Sequence, residues 1–173
     1  MDLWTVISGR RSTRSFKSAD VSPGIVNQLL EAAIQAPSAG NRQPWHFVVV
    51  RRTETKQGLA DAAGGQDFVA QAPVVIVICA EPERSATRYG TRGKELYCLQ
   101  DTAAATEHIL LAATALGLGT CWVGAFDEKA AAQVLDLPER LRAVAMVPIG
   151  QAARQPAAAI ARRPLSEVAS FVD

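Results

Sequence analysis

The sequence predicts a layered sandwich of helices and strands, of the α/β or α+β class, and three observations carry that prediction. Helix-patterned and strand-patterned segments interleave along the 173 residues. The run Val74 to Cys79 is apolar at every position, as suits a strand covered on both faces. No internal repeat and no second hydrophobic core is visible, so one domain over residues 1–173 is expected.

The elements follow in order. Asp2 is placed to cap a short helix carrying Leu3, Trp4, Val6 and Ile7, with Gly9 at its end. Arg10 to Phe16 is polar and cationic and has no helical stripe. Ser22-Pro23 starts a second helix, with a hydroxyl for the cap and proline in the first turn. Its apolar face is Ile25, Val26, Leu29, Leu30 and Ala33, and Pro37 stops it. Ala36 to Pro44 is a loop by composition, and Trp45 to Val50 reads as a strand.

Thr53 is expected to cap a helix that fades by Gly64-Gly65. After the apolar strand, Glu81 to Lys94 is charged and is expected to form an irregular, mobile flap. Residues 95–116 form the longest helix. Leu96, Leu99, Ala103, Thr106, Leu110 and Ala113 make a narrow seam for another helix, and Ala103-Ala104-Ala105 allows close approach. Gly117 and Gly119 terminate it. Thr120 to Val123 is expected as a short strand, Asp127 as the cap of a helix through Leu135, and Ala143 to Ile149 as a strand. Gln151 to Pro164 is rich in Ala, Pro and Arg and has no period.

Composition excludes several classes. The formal net charge of +1 gives no reason to expect a nucleic-acid or membrane-surface partner. No apolar run approaches the roughly 20 residues of a membrane helix, and no signal peptide is evident, so a cytoplasmic protein is expected. Cys79, Cys98 and Cys121 are odd in number and scattered, and read as reduced core thiols. His46 and His108 lack partners at ligand spacing, so no metal site is expected.

Three stretches carry chemistry. Arg10-Arg11-Ser12-Thr13-Arg14 concentrates three guanidiniums and two hydroxyls, whose forked donors fit phosphate oxygens. A solvated basic loop accounts for the same residues. Pro37 to Pro44 carries Asn41 and Gln43, amides suited to the imide edge of a flavin. A turn in which Ser and Asn satisfy the backbone also accounts for it. Gly117 to Gly124 is not a dinucleotide fingerprint: Trp122 occupies the third glycine's place, and the glycines follow a helix rather than open one. A helix cap explains Gly117 and Gly119. It leaves Gly124, which lets backbone approach a flat ligand.

Four segments together resemble the short-form nitroreductase-like, FMN-dependent oxidoreductases. They are Arg10-Arg11-Ser12-x-Arg14-x-Phe16, the Ala36 to Trp45 loop, Gln100 to Ala105 followed by Gly117 to Phe126, and Arg162-Arg163-Pro164-Leu165-Ser166-Glu167-Val168. The resemblance implies an α+β sandwich, with a mainly antiparallel sheet flanked by helices, that dimerises with exchanged terminal segments. The tail 150–173 would wrap the partner of a homodimer. Arg10, Ser12 and Arg14, helped by Arg11, would hold the ribityl phosphate and pyrimidine side of FMN. Arg162 or Arg163 would close on the phosphate. Some members carry a further basic residue where this chain has Ile160, so that clamp departs from the pattern. Pro37, Ser38, Asn41 and Gln43 belong to the loop that lines the isoalloxazine, usually from the partner subunit. Trp122, Val123 and Gly124 would lie against the ring.

The implied reaction is ping-pong hydride transfer through flavin N5, from NADH or NADPH to a small acceptor such as a nitroaromatic or quinone. The flavin carries the chemistry, so no catalytic side chain is nominated. A reductive dehalogenase, a flavin-consuming relative and a non-enzymatic FMN carrier or sensor are the alternatives.

Overall fold

A strand with no solvent-facing side organises the molecule. In the computed structural model, which describes residues 1–154 and 161–172, all seven residues of Val74–Ala80 are buried. This strand, β2, is the second of four. In chain order the strands are β1 (Trp45–Val50), β2, β3 (Gly119–Thr120) and β4 (Arg142–Gly150). Their order across the sheet is β1-β2-β4-β3, and every pairing is antiparallel. Val77 sits opposite Val48 on one side and Met146 on the other.

Alternation sends β2 into two cores. Val74, Ile76 and Ile78 join Val26, Leu29, Ala105 and Ile109 on one face. Val75, Val77 and Cys79 join Leu59, Val69, Ala131 and Phe16 on the other. Each fully buried valine or isoleucine contributes roughly 1.5–3 kcal/mol. Two layers of helix over a central sheet therefore follow from one run of β-branched residues. The fold class is α+β with an antiparallel sheet, as the resemblance implies.

The first core is roofed by α2 (Pro23–Ile34) and α6 (Cys98–Ala115). Ser22 caps α2, accepting from the Ile25 N–H. His108 of α6 bonds the Ala32 carbonyl through Nδ1 at 2.9 Å, so it is a packing contact between helices. The other core lies under α3 (Thr53–Ala62), α4 (Phe68–Gln71) and α7 (Glu128–Val134), the last capped by Asp127. Asp2 caps α1 (Leu3–Gly9) as expected. All three cysteines are buried and unbridged, and burial pushes the Cys79 thiol up to about 12.

Several expectations are corrected. Glu81 to Lys94 is not an irregular flap: it forms α5 (Pro82–Arg92), with Pro82 in the first turn, followed by a π-helical turn over Gly93–Tyr97. The mean hydropathy of this stretch is low, and nothing local announces the docking that orders it. The longest helix accordingly begins at Cys98 rather than 95. Thr53 is the first helical residue of α3, not its cap, since Arg52 holds the cap position without a side-chain bond. Beyond Thr120 only Val123 pairs, with Met146, so the strand expected over Thr120 to Val123 is two residues and a bridge. Of the seam on α6, Thr106, Leu110 and Ala113 are buried within the chain, while Leu96, Leu99 and Ala103 are only partly covered. In the tail, α8 (Leu165–Val168) is a short helix that the pattern did not reveal, and Ile160 lies outside the described residues.

Candidate functional site

Arg10 to Phe16 is extended because it borders β3. The Thr13 N–H donates to the Thr120 carbonyl at 2.7 Å, and Ser12 pairs in parallel with Thr120. Gly119 makes this approach possible: a Cβ there would lie 2.5 Å from the Thr13 hydroxyl oxygen. Extended backbone alternates its side chains. Thr13 therefore turns inward and is buried, while Ser12 and Arg14 on either side of it are exposed.

Burial raises the Cys121 thiol, and Arg14, Ser12 and Arg10 each act against the rise. The Ser12 bridge to Thr120 sets this cationic stretch beside the turn that carries Cys121, Trp122, Val123 and Gly124. Arg10 is held only loosely, 3.8 Å from the half-exposed Glu107. Arg14 lies 6.0 Å above the Phe68 ring. Arg11 faces elsewhere: its Nη1 donates to the Ser8 and Arg10 carbonyls at 2.6 and 2.8 Å, capping the end of α1. A Cβ on Gly124 would meet nothing among the described residues closer than the Trp122 indole nitrogen at 3.7 Å. Trp122 is 39% exposed. A planar ligand could reach both.

The Pro37 to Pro44 loop is built differently. Gly40, Asn41 and Gln43 have φ of 54°, 52° and 50°, an unusual concentration of left-handed backbone. The Ser38 hydroxyl accepts from the Gln43 N–H at 2.9 Å, and Gln43 Nε2 donates to Asn41 Oδ1 at 3.2 Å. Beneath the loop, the Ala39 N–H donates to Asp101 Oδ1 at 3.1 Å. Asp101 is buried, its Oδ2 has no partner among the described residues, and burial raises its pKa. Above the loop, Arg42 Nε donates to the Arg84 carbonyl at 3.0 Å and Arg84 Nε to the Arg42 carbonyl at 2.6 Å.

The two groups of predicted residues are not brought together. Ser12 is on the β3 edge, and the loop enters β1, the opposite edge. Trp45 aligns through Ala80 with Arg142, whereas Thr120 aligns with Ile149 at the far end of β4. Strand rise and spacing put these anchors roughly 25 Å apart. A five-carbon ribityl arm cannot join them within one chain. Arg163 pairs with Glu167 in the tail at 3.1 Å, and Arg162 is exposed.

Thr13, Gly119, Asp101, Arg42 and Arg84 were missed. Asp101 left one signal, an acid on the apolar side of a long helix. Gly119 left another, which a helix cap seemed to explain. The described residues contain no group of acids, histidines and cysteines that could hold a metal ion, and no helix long and apolar enough to cross a membrane.

The class is an α+β sandwich with a cationic stretch bridged to one sheet edge. The model of the nitroreductase family matches residues 7–66 and 60–151. A relative from Archaeoglobus fulgidus, provisionally named NADH dehydrogenase/NAD(P)H nitroreductase, is 38% identical over 149 residues, covering 84% of this chain and 82% of its own. The FMN reductase [NAD(P)H] of Bacillus subtilis is 30% identical over 160 residues, 85% of this chain and 64% of that protein. A nitroreductase family protein from Clostridium novyi NT superposes with a TM-score of 0.79 at 36% identity, over 88% of this chain and 86% of that one. The chain belongs to the nitroreductase family.

Proposed function

We propose that this chain is one subunit of a homodimeric, FMN-dependent NAD(P)H oxidoreductase, with one domain over its length and a composite cofactor site. Family membership and the relatives named for NAD(P)H and FMN support the cofactors. The observation that carries the site is the bridge between Ser12 and Thr120, which sets Ser12, flanked in sequence by Arg10 and Arg14, next to the turn carrying Trp122 to Gly124.

The residues fit the group. Two guanidiniums and a hydroxyl give charge-assisted donors for a phosphate, and Gly124 leaves its backbone open to a flat ring. Bound there, FMN supplies hydride exchange at N5 between NAD(P)H and a small acceptor such as a nitroaromatic or quinone. Arg10 and Arg14 would place fixed positive charge near the pyrimidine side, favouring the anionic reduced state. The Pro37, Ser38 and Asn41 loop of a second copy would supply the other wall.

Two observations support that second copy. The half-sites lie at opposite sheet edges. The chain ends also expose apolar side chains, with Trp4 76%, Leu3 63%, Leu165 69% and Phe171 83% exposed. Ends of this kind are covered by a partner when they are exchanged.

The purified protein is expected to be yellow and to bleach when mixed anaerobically with NADH or NADPH. A yellow protein that does not bleach would instead be a carrier. Subunit mixing tests the composite site. Chains carrying Arg14→Glu and chains carrying Asn41→Trp are expected to lose flavin separately and, when co-expressed, to regain one site in each mixed dimer, about a quarter of all sites with random pairing. No recovery would place each site within one chain.

A further inference from the structure

We propose that Arg42, Arg84, Arg88 and Arg92 form a subsite for the phosphate-bearing half of the pyridine dinucleotide, on the rim of the flavin loop. The proposal rests on the NAD(P)H reading above and extends it to residues that reading does not use.

The observation is an unneutralised, braced cluster of guanidiniums. Ion pairs among the described residues join Arg10, Arg51, Lys94, Arg142 and Arg163 to acids, and none includes these four. Of the acids on this stretch, Glu83 pairs with Lys94 and Glu95 also acts on Lys94, while Glu81, at the start of α5, forms no ion pair among the described residues. Arg84 and Arg88 stand one turn apart on α5, Gly90 with φ of 55° breaks the helix before Arg92, and all three arginines are exposed.

Each guanidinium is anchored in a way that leaves donors free. Arg84 and Arg92 are tied through Nε, to the Arg42 carbonyl and the Tyr97 hydroxyl, and their terminal nitrogens make no hydrogen bond among the described residues. Arg88 lies 5.5 Å above the Tyr89 ring, and Arg92 lies 5.3 Å above Tyr97. Arg42 is fixed through the Arg84 carbonyl and the Thr87 hydroxyl. Five N–H donors per guanidinium leave most of them unused. Groups already immobilised lose little further freedom when an anion arrives.

Position selects the ligand. A Cβ on Gly40 would lie 3.1 Å from Arg88 Nη1, so this guanidinium rests on the loop that would line the flavin ring. A nicotinamide over the ring would carry its phosphates outward across that rim. The FMN phosphate has its own cationic site at Arg10 and Arg14. The rim cations are left for a second, exchangeable polyphosphate, and a 2′-phosphate adds charge that favours NADPH over NADH.

The test uses Arg88→Ala/Arg92→Ala, because Arg42 and Arg84 also hold the loop. Binding of adenosine 2′,5′-bisphosphate is measured by calorimetry. Anaerobic flavin reduction is followed with NADPH, NADH and N-benzyl-1,4-dihydronicotinamide, a hydride donor without phosphate. The variant is expected to weaken bisphosphate binding and raise the half-saturating NADPH concentration by about tenfold each. The effect on NADH should be smaller, and the benzyl donor and flavin content should be unchanged. Equal loss with all three donors, loss of FMN, or unchanged bisphosphate binding would overturn the subsite. A colourless wild-type protein would overturn the flavin reading, while the bisphosphate titration would still decide the subsite.

Discussion

The two edges of the sheet present cations in opposite ways. At the β3 edge, Arg10 and Arg14 project from extended backbone and are held by little more than alternation. At the β1 edge, Arg42 and Arg84 cross-brace a loop that contains three left-handed residues. The first edge offers charge on a simple scaffold. The second offers a shape that needs its neighbours to persist. A phosphate tolerates the first arrangement, because bidentate donors capture it over a range of positions. A planar ring requires the second, because a wall that moves does not orient it.

Predictions that sharpen this contrast run from large to small. Arg10→Ala should weaken FMN by about 2 kcal/mol, roughly thirtyfold, for one lost charge-assisted donor. Flavin released on dialysis measures it, and full stoichiometric flavin in the variant would count against the charged edge. Gly119→Ala forces Thr13 aside and should lower stability by about 1–2 kcal/mol while also loosening FMN. An unchanged melting midpoint would mean that Thr13 and β3 are not in register.

At the other edge, Asp101→Ala leaves the Ala39 N–H unpaired and should cost about 1 kcal/mol. Asp101→Asn keeps an acceptor and removes a buried charge. The folded Asp101 carboxyl titrates above its ordinary value, so the native state binds more protons than the unfolded chain between the two values. Wild-type stability from this group therefore falls as pH rises through that window. Asp101→Asn should lack that fall and gain on the wild type as pH increases. Parallel melting-versus-pH curves would show the carboxyl to be adequately solvated. Arg11→Ala should be smallest, within about 0.5 kcal/mol in stability and neutral for FMN, because Arg11 faces the end of α1. Flavin loss equal to that of Arg10→Ala would break the alternation.

Legibility followed the same division. The apolar β2, the Ser22 and Asp127 caps and the Arg10 to Arg14 cluster were readable because each depends on residues adjacent in sequence. Glu81 to Lys94 was misjudged because its helix is braced by Arg42, some 40 residues away, and a charged stretch looks the same whether braced or solvated. The α6 seam was recognised as a packing face, but periodicity does not say which of its residues meet their own chain: Thr106, Leu110 and Ala113 are buried within it, while Leu96, Leu99 and Ala103 are only partly covered.

What the sequence by itself determined was the inventory: a two-faced central strand, the helices over it, three cations in five residues, and a turn rich in glycine, serine and amides. Local propensity and period are properties of neighbours, so they survive without coordinates. Tertiary structure alone decided that Arg11 bonds the end of α1, that Asp101 supports the loop, and that the cationic stretch and the loop stand at opposite sheet edges. Those facts depend on strand order and register, which long-range pairing sets and no local pattern encodes.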